Sequence, residues 1–146
     1  MHDCRNVTTE SAFPTAESVV TFLQSCIAHR VPAKATAGLH HPLRGNYRLR
    51  YDDGAPTSPM FGYLNVFMTA ALLAGGGSKT DALLLLEESS PSALDVNDLH
   101  VGWRGADGLA AFDRALLQRV RHTLLVSFGS CSFTEPVEES RALGFV

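Results

Sequence analysis

Lys34, His40, His41 and Arg44 lie in a single stretch, VPAKATAGLHHPLR (Val31 to Arg44), with Gly38 between the lysine and the histidines. A lysine inside an apolar run must either reach water or lose affinity for its proton, which is how Schiff-base lysines are made. The competing structural reading of Lys34 is a strand-end side chain that snorkels to solvent or pairs with a carboxylate. Histidine titrates close to working pH, so His40 or His41 is a candidate general acid or base. Neighbours on an extended chain point in opposite directions, so one of the two faces a site while the other packs, and the pair does not readily share one metal. His2, His29, His100 and His122 are scattered, with no HxH or ExxH pair near His40. No metal site is therefore expected. Arg44, with the backbone amides around Gly38, suits a phosphate or carboxylate through forked, charged hydrogen bonds. Arg48 and Arg50 share its loop, where pairing with Asp52 and Asp53 is the alternative use of those charges. Cys131, between Ser130 and Ser132 ahead of a helix, sits in a field that depresses a thiol pKa. No histidine is adjacent to activate it, and a small buried thiol is the competing reading. The candidates are thus Lys34, His40 and His41 for catalysis, Gly38 and Arg44 for ligand binding, and Cys131 as a thiol. No cofactor is named by these residues, since Gly75-Gly76-Gly77 lacks the Lys-Ser/Thr of a phosphate loop.

The elements that must position these residues follow from spacing. Thr15 caps a helix in which Ala16, Val19, Leu23, Cys26 and Ile27 recur at helical period, ending near His29-Arg30. Val31-Pro32 breaks it, and Ala33 to Ala37 follows as a short strand. Gly38 to Thr57 is a long polar loop in which Tyr47, Leu49 and Tyr51 alternate as a brief edge strand. Ser58 with Pro59 predicts a helix start, and the helix to Ala74 is apolar nearly all round, only Asn65 and Thr69 being polar. The Gly75 to Gly77 run stops it. Ser78 and Asp81 open a second helix, and Pro91 closes it. Ala93 to Val96 and Leu99 to Trp103 flank Asn97-Asp98 as a hairpin, with Trp103 over a satellite core. A longer helix from Asp107 carries Leu109, Phe112, Leu116, Val120 and Leu124. After a tight loop, Phe128 to Phe133, Thr134 caps a last helix with Glu135, Glu138 and Glu139 early and Gly144 as its stop.

Composition narrows the classes of function. At 146 residues and 45% hydrophobic, the chain suits one domain with a real core. Its parts are a helix-strand-loop-helix portion (1–77) and a helical and hairpin portion (78–146). A net charge of −3, from 12 basic and 15 acidic residues, offers no basic face for nucleic acid and no polybasic membrane segment. No apolar run approaches the roughly 20 residues of a membrane span, and no signal peptide is visible, so a cytoplasmic protein is expected. Cys4, Cys26 and Cys131 are odd in number and without CxxC spacing, which argues for reduced thiols.

Two blocks carry a likeness: KATAGLHHPLR (Lys34 to Arg44) with GYLNVF (Gly62 to Phe67), and FGSCSFTEPVEESRALG (Phe128 to Gly144). Together they resemble the C-terminal part of a family of uncharacterised bacterial proteins whose longer chains look like (β/α)8 barrels, and the likeness runs from about Val7 onward. It implies an α/β fold: a partial TIM-barrel-like unit followed by a small hairpin and C-terminal helices. Ala33 to Ala37 would be the last barrel strand and Ser58 to Ala74 the helix after it. Gly38, His40, His41 and Arg44 would then lie at the strand's C-terminal end, where barrel enzymes keep their sites. At fold level the arrangement is also similar to Schiff-base aldolases, with a lysine on a late strand before a glycine-containing loop. Only Cys4 to Val7 stands for the strand expected ahead of Phe13, so a fragment or a homo-oligomer, or pairing with a missing N-terminal half, is implied. Two functions follow. One is part of a barrel enzyme acting on a small anionic metabolite, and the other a non-catalytic assembly module that buries its apolar helices against a partner chain.

Overall fold

A computed structural model describes residues 13–36, 39–50, 53–96, 100–105, 108–130, 132 and 134–146. The expected strand at Cys4 to Val7 and the Asn97-Asp98 turn lie outside the described residues. The architecture is mixed α/β: α1 (Ala16–His29), β1 (Ala33–Ala35), β2 (Gly45–Arg48), β3 (Thr57–Met60), α2 (Tyr63–Ala74), α3 (Lys79–Leu86), β4 (Leu94–Val96), β5 (Val101–Gly105), β6 (Gly108–Phe112), α4 (Arg114–Thr123), β7 (Leu125–Phe128) and α5 (Glu135–Ala142). The strands form three small sheets: a parallel pair β1–β7, an antiparallel ribbon β2–β3 and an antiparallel meander β4–β5–β6. No closed barrel is present among the described residues.

Local chemistry explains the helix boundaries. Thr15 Oγ1 accepts from Ser18 N at 3.1 Å, and Arg30 in the left-handed region ends α1. Val20, Leu23 and Cys26 face inward at the spacing of one helical stripe. Ser78 Oγ accepts from Asp81 N at 3.0 Å to open α3, and Gly144, with φ 76°, follows α5. A single buried cluster draws on both portions of the chain: Val20 and Leu23, Met68 and Ala71, Leu85 and Leu86, Trp103, Val120 and Phe145. Trp103 therefore belongs to the main core, its Nε1 donating to Glu88 Oε2 at 3.3 Å.

Four sequence expectations are corrected. Ser58-Pro59 is not a helix start: it lies in β3, with Ser58 opposite Tyr47 and Pro59 opposite Asn46. A two-stranded ribbon consists only of edges, where proline costs no ladder bond on its outward side. Helix α2 begins instead at Tyr63, because its first amides find their acceptors in another segment: Tyr63 N donates to His41 O at 2.9 Å and Leu64 N to Pro42 O at 3.1 Å. The helix expected from Asp107 is strand β6 up to Phe112, paired with β5, and Asp113 caps α4 by accepting from Ala115 N at 2.8 Å. Phe128, read as the start of a tight loop, is the last residue of β7, which follows Leu124 and pairs in parallel with β1, Ala33 opposite Leu125 and Ala35 opposite Phe128. Strand β1 is shorter than expected, ending at Ala35, and Ala37 lies outside the described residues.

Candidate functional site

The turn His40 to Arg44 is held by the start of α2. Besides the two carbonyls that cap the helix, Arg44 N donates to Asn65 Oδ1 at 2.8 Å, while Asn65 Nδ2 donates to Leu85 O at 2.9 Å and Glu88 O at 2.8 Å. Asn65 is fully buried, so these bonds meet most of its capacity and lock the histidine turn to α2 and the end of α3. Gly62 permits the approach: a Cβ there would run into the Pro42 carbonyl and Leu43 Cα.

Both histidines are 8% exposed, and the two rings stand 6.3 Å apart at 76°. They do part company, as an extended pair should. His40 Nδ1 lies 3.1 Å from Ser130 Oγ, on the loop after β7. His41 Nδ1 lies 2.8 and 2.9 Å from the carboxylate oxygens of Glu139 on α5. An ionised carboxylate only accepts, so Nδ1 is the nitrogen that carries hydrogen in this pair. The other face of His41 stacks on Tyr47, centroids 3.4 Å apart at 7°, and Tyr47 Oη donates to Leu43 O at 2.8 Å. Glu135 stands one turn before Glu139 on α5, and a donor atom from each of His41, Glu135 and Glu139 falls within 4.8 Å of the others.

Helix α5 is seated by Tyr63. Its hydroxyl donates to Pro136 O at 3.1 Å and touches Ser140 Oγ, and its ring stacks on Phe128 at 4.8 Å. Burial pushes the Tyr63 phenol above its ordinary range; the Ser140 bond opposes this, and the charge of Glu139 adds to it. The Tyr47 phenol is raised too, by burial first and by Glu139 second.

Among the described residues, Arg44 and Lys34 do not join this cluster. Arg44 sits 3.7 Å from Glu87 and 5.2 Å from the centre of the Phe61 ring. These neighbours flank the ends of the helices, Glu87 just after α3 and Phe61 just before α2, and a pair this long and exposed contributes little. Lys34 is exposed on β1. It borders a cleft of about 310 Å³ lined by Phe13, Phe22, Leu39 and Phe61 among others. Arg48 pairs with Asp53 at 3.7 Å, both exposed, which is the solvated-loop use of those charges. Gly38 and Cys131 lie outside the described residues.

Sequence reasoning found His40 and His41 but missed Glu139, Glu135, Tyr47 and Tyr63. The four-residue step from Glu135 to Glu139 does place both on one helix face. Nothing in that step says the face meets a histidine 98 positions away. Comparison with protein-family models, with curated proteins and with solved structures finds no match to the chain.

Proposed function

We propose that this chain is an assembly module whose two-stranded parallel sheet is extended at β7 by the β7 of a second copy. The carrying observation is that, among the described residues, β1 and β7 pair only with each other. Parallel strands are found almost always in larger sheets covered on both faces. Val126 and Phe128 on β7 are 46% and 44% exposed, beside a cleft of about 400 Å³ lined by Tyr63, Phe67 and Arg121 among others. The opposite edge is a poorer candidate. Ala33 N donates to Leu124 O and Gly129 N to Ala35 O, so strand alternation turns the Lys34 peptide groups outward, and an exposed lysine on an edge discourages strand addition. A two-fold axis would bring β7 against its copy in a self-complementary contact. Light scattering during size exclusion tests this: the chain forms a dimer at micromolar to millimolar concentration, Val126→Lys returns it to monomer, and Lys34→Ala leaves the dimer intact. A chain that stays monomeric throughout that range removes the proposal.

The second reading is catalytic, as part of a barrel-type enzyme, and one observation favours it: a carboxylate orients the buried imidazole of His41, as bases are oriented in catalytic dyads. Glu139 would be the positioning residue. An anion clamp at Arg44 would form beside Glu87, whose carboxylate lies 3.7 Å away and is largely exposed. A thermal-shift screen of phosphorylated and carboxylated metabolites tests the reading; it requires at least one ligand whose stabilisation disappears in His41→Asn.

A further inference from the structure

We propose that His41, Glu135 and Glu139 form a binding site for one divalent first-row transition-metal ion of the Zn²⁺ type. The inference is independent of how the chain assembles, since it draws on the α5 side of the histidine turn. It begins with the donor set. One imidazole and two carboxylates, with donor atoms within 4.8 Å of one another, make a three-ligand group of the size that such ions use. Metal–donor lengths of about 2.0–2.2 Å bring neighbouring donors to about 3–4 Å, so a modest turn of the glutamate side chains closes the group around an ion.

Rigidity is the second consideration. His41 is 8% exposed, clamped between the Tyr47 ring and the Glu139 carboxylate, and its own carbonyl caps α2. The two glutamates share one face of α5, and that helix is pinned by Tyr63 to Pro136 and Ser140. Donors held on two fixed elements lose little freedom when an ion arrives, and this preorganisation separates a site from a chance meeting of acidic side chains. Partial burial of both glutamates also keeps the negative charge from being fully screened.

The donor types choose the ion. Mg²⁺ and Ca²⁺ take oxygen ligands and gain little from a buried imidazole, whereas Zn²⁺ accepts imidazole and carboxylate together. Two carboxylates balance a dication. Three protein ligands fill all but one position of a tetrahedral ion, so the remaining position would hold water or a small anionic ligand. In the absence of an ion, the Nδ1 hydrogen bridges His41 and Glu139, and the metal takes the place of that hydrogen.

The test is isothermal titration of the full chain with ZnCl2, followed by Co²⁺ absorption spectroscopy as a report on donor type. The expected result is one saturable ion per chain, at least tenfold weaker binding in Glu135→Gln and in Glu139→Gln, and unchanged binding in His100→Ala. His100 pairs with Asp95 at 2.8 Å elsewhere on the surface and so controls for any histidine-carboxylate pair. The Gln variants keep side-chain shape, and circular dichroism of each shows that the fold persists. Absence of saturable Zn²⁺ binding in the wild-type chain overturns the proposal, as does wild-type affinity in both Gln variants. An intense thiolate-to-cobalt band also overturns it, because the metal would then sit on cysteine.

Discussion

At the scale of single residues, the side chains that matter most are polar groups whose partners come from distant segments. Tyr63 is the clearest. Its phenol is raised, so the folded state prefers the neutral form; the associated stability is fully present below the ordinary tyrosine value of 10.0 and is lost as pH rises through the higher folded value. Tyr63→Phe should cost about 1 kcal/mol at neutral pH through the lost hydroxyl bonds. The gap from wild type should narrow above pH 10, read from urea midpoints at pH 7 and pH 11. A gap that widens with pH would mean the phenolate is tolerated where it stands. The candidate site was legible to the extent that residue type alone can carry it. Two adjacent histidines after a short strand marked the turn, and their opposite orientations followed from backbone alternation. Glu139 was invisible as a partner because its role in the sequence, an acidic residue early in a helix, is accounted for by the helix dipole. Arg44 shows the reverse: its charge alone suggests an anion, and its folded neighbours Glu87 and Phe61 leave no local trace in the sequence.

At the scale of elements, helix starts written in capping chemistry were readable and strands only in part: β1 and the antiparallel β4–β5 pair fall in runs marked by the sequence, while β3, β6 and β7 do not. Thr15 and Ser78 gave their helices correctly, since caps act within a few residues; α5 does start at Glu135, but Thr134 makes no side-chain cap bond and Glu135 N donates to Ser132 Oγ instead. Ser58-Pro59 carried the same signature, yet it lies in β3, and α2 opens at Tyr63 with backbone carbonyls of His41 and Pro42 as its acceptors. A cap supplied from a distant turn leaves no local trace. Strand β6 was absorbed into one long helix because Leu109, Phe112, Leu116 and Val120 happen to fall at helical intervals, and β7 was not read as a strand at all. Only pairing with β5 and β1 decides otherwise, and pairing is a property of two segments. The turn-to-helix junction makes a sharp prediction: Gly62→Ala places a methyl against the Pro42 carbonyl and Leu43, and should destabilise the chain by about 1–3 kcal/mol in denaturant titration. Gly76→Ala is the contrast, because nothing crowds a Cβ there and only its φ of 89° is unfavourable.

At the scale of the molecule, one core joins the two portions that the sequence divided at residue 77, and the mixed α/β class was legible from the order of elements. No helix among the described residues is long and apolar enough to cross a membrane. Strand β1 pairs in parallel with β7 alone, and no barrel closes among the described residues. The parallel pairing also has a consequence for how the chain acquires its shape. His40 meets Ser130 and His41 meets Glu139 across 90 and 98 positions, and β1 waits for β7 across a similar span. Contacts this far apart are slow to close, and on a ribosome the histidine turn emerges long before its partners are translated. During synthesis the first helix and the turn must therefore persist as exposed, unfinished pieces, and the C-terminal helix is the part whose arrival completes them.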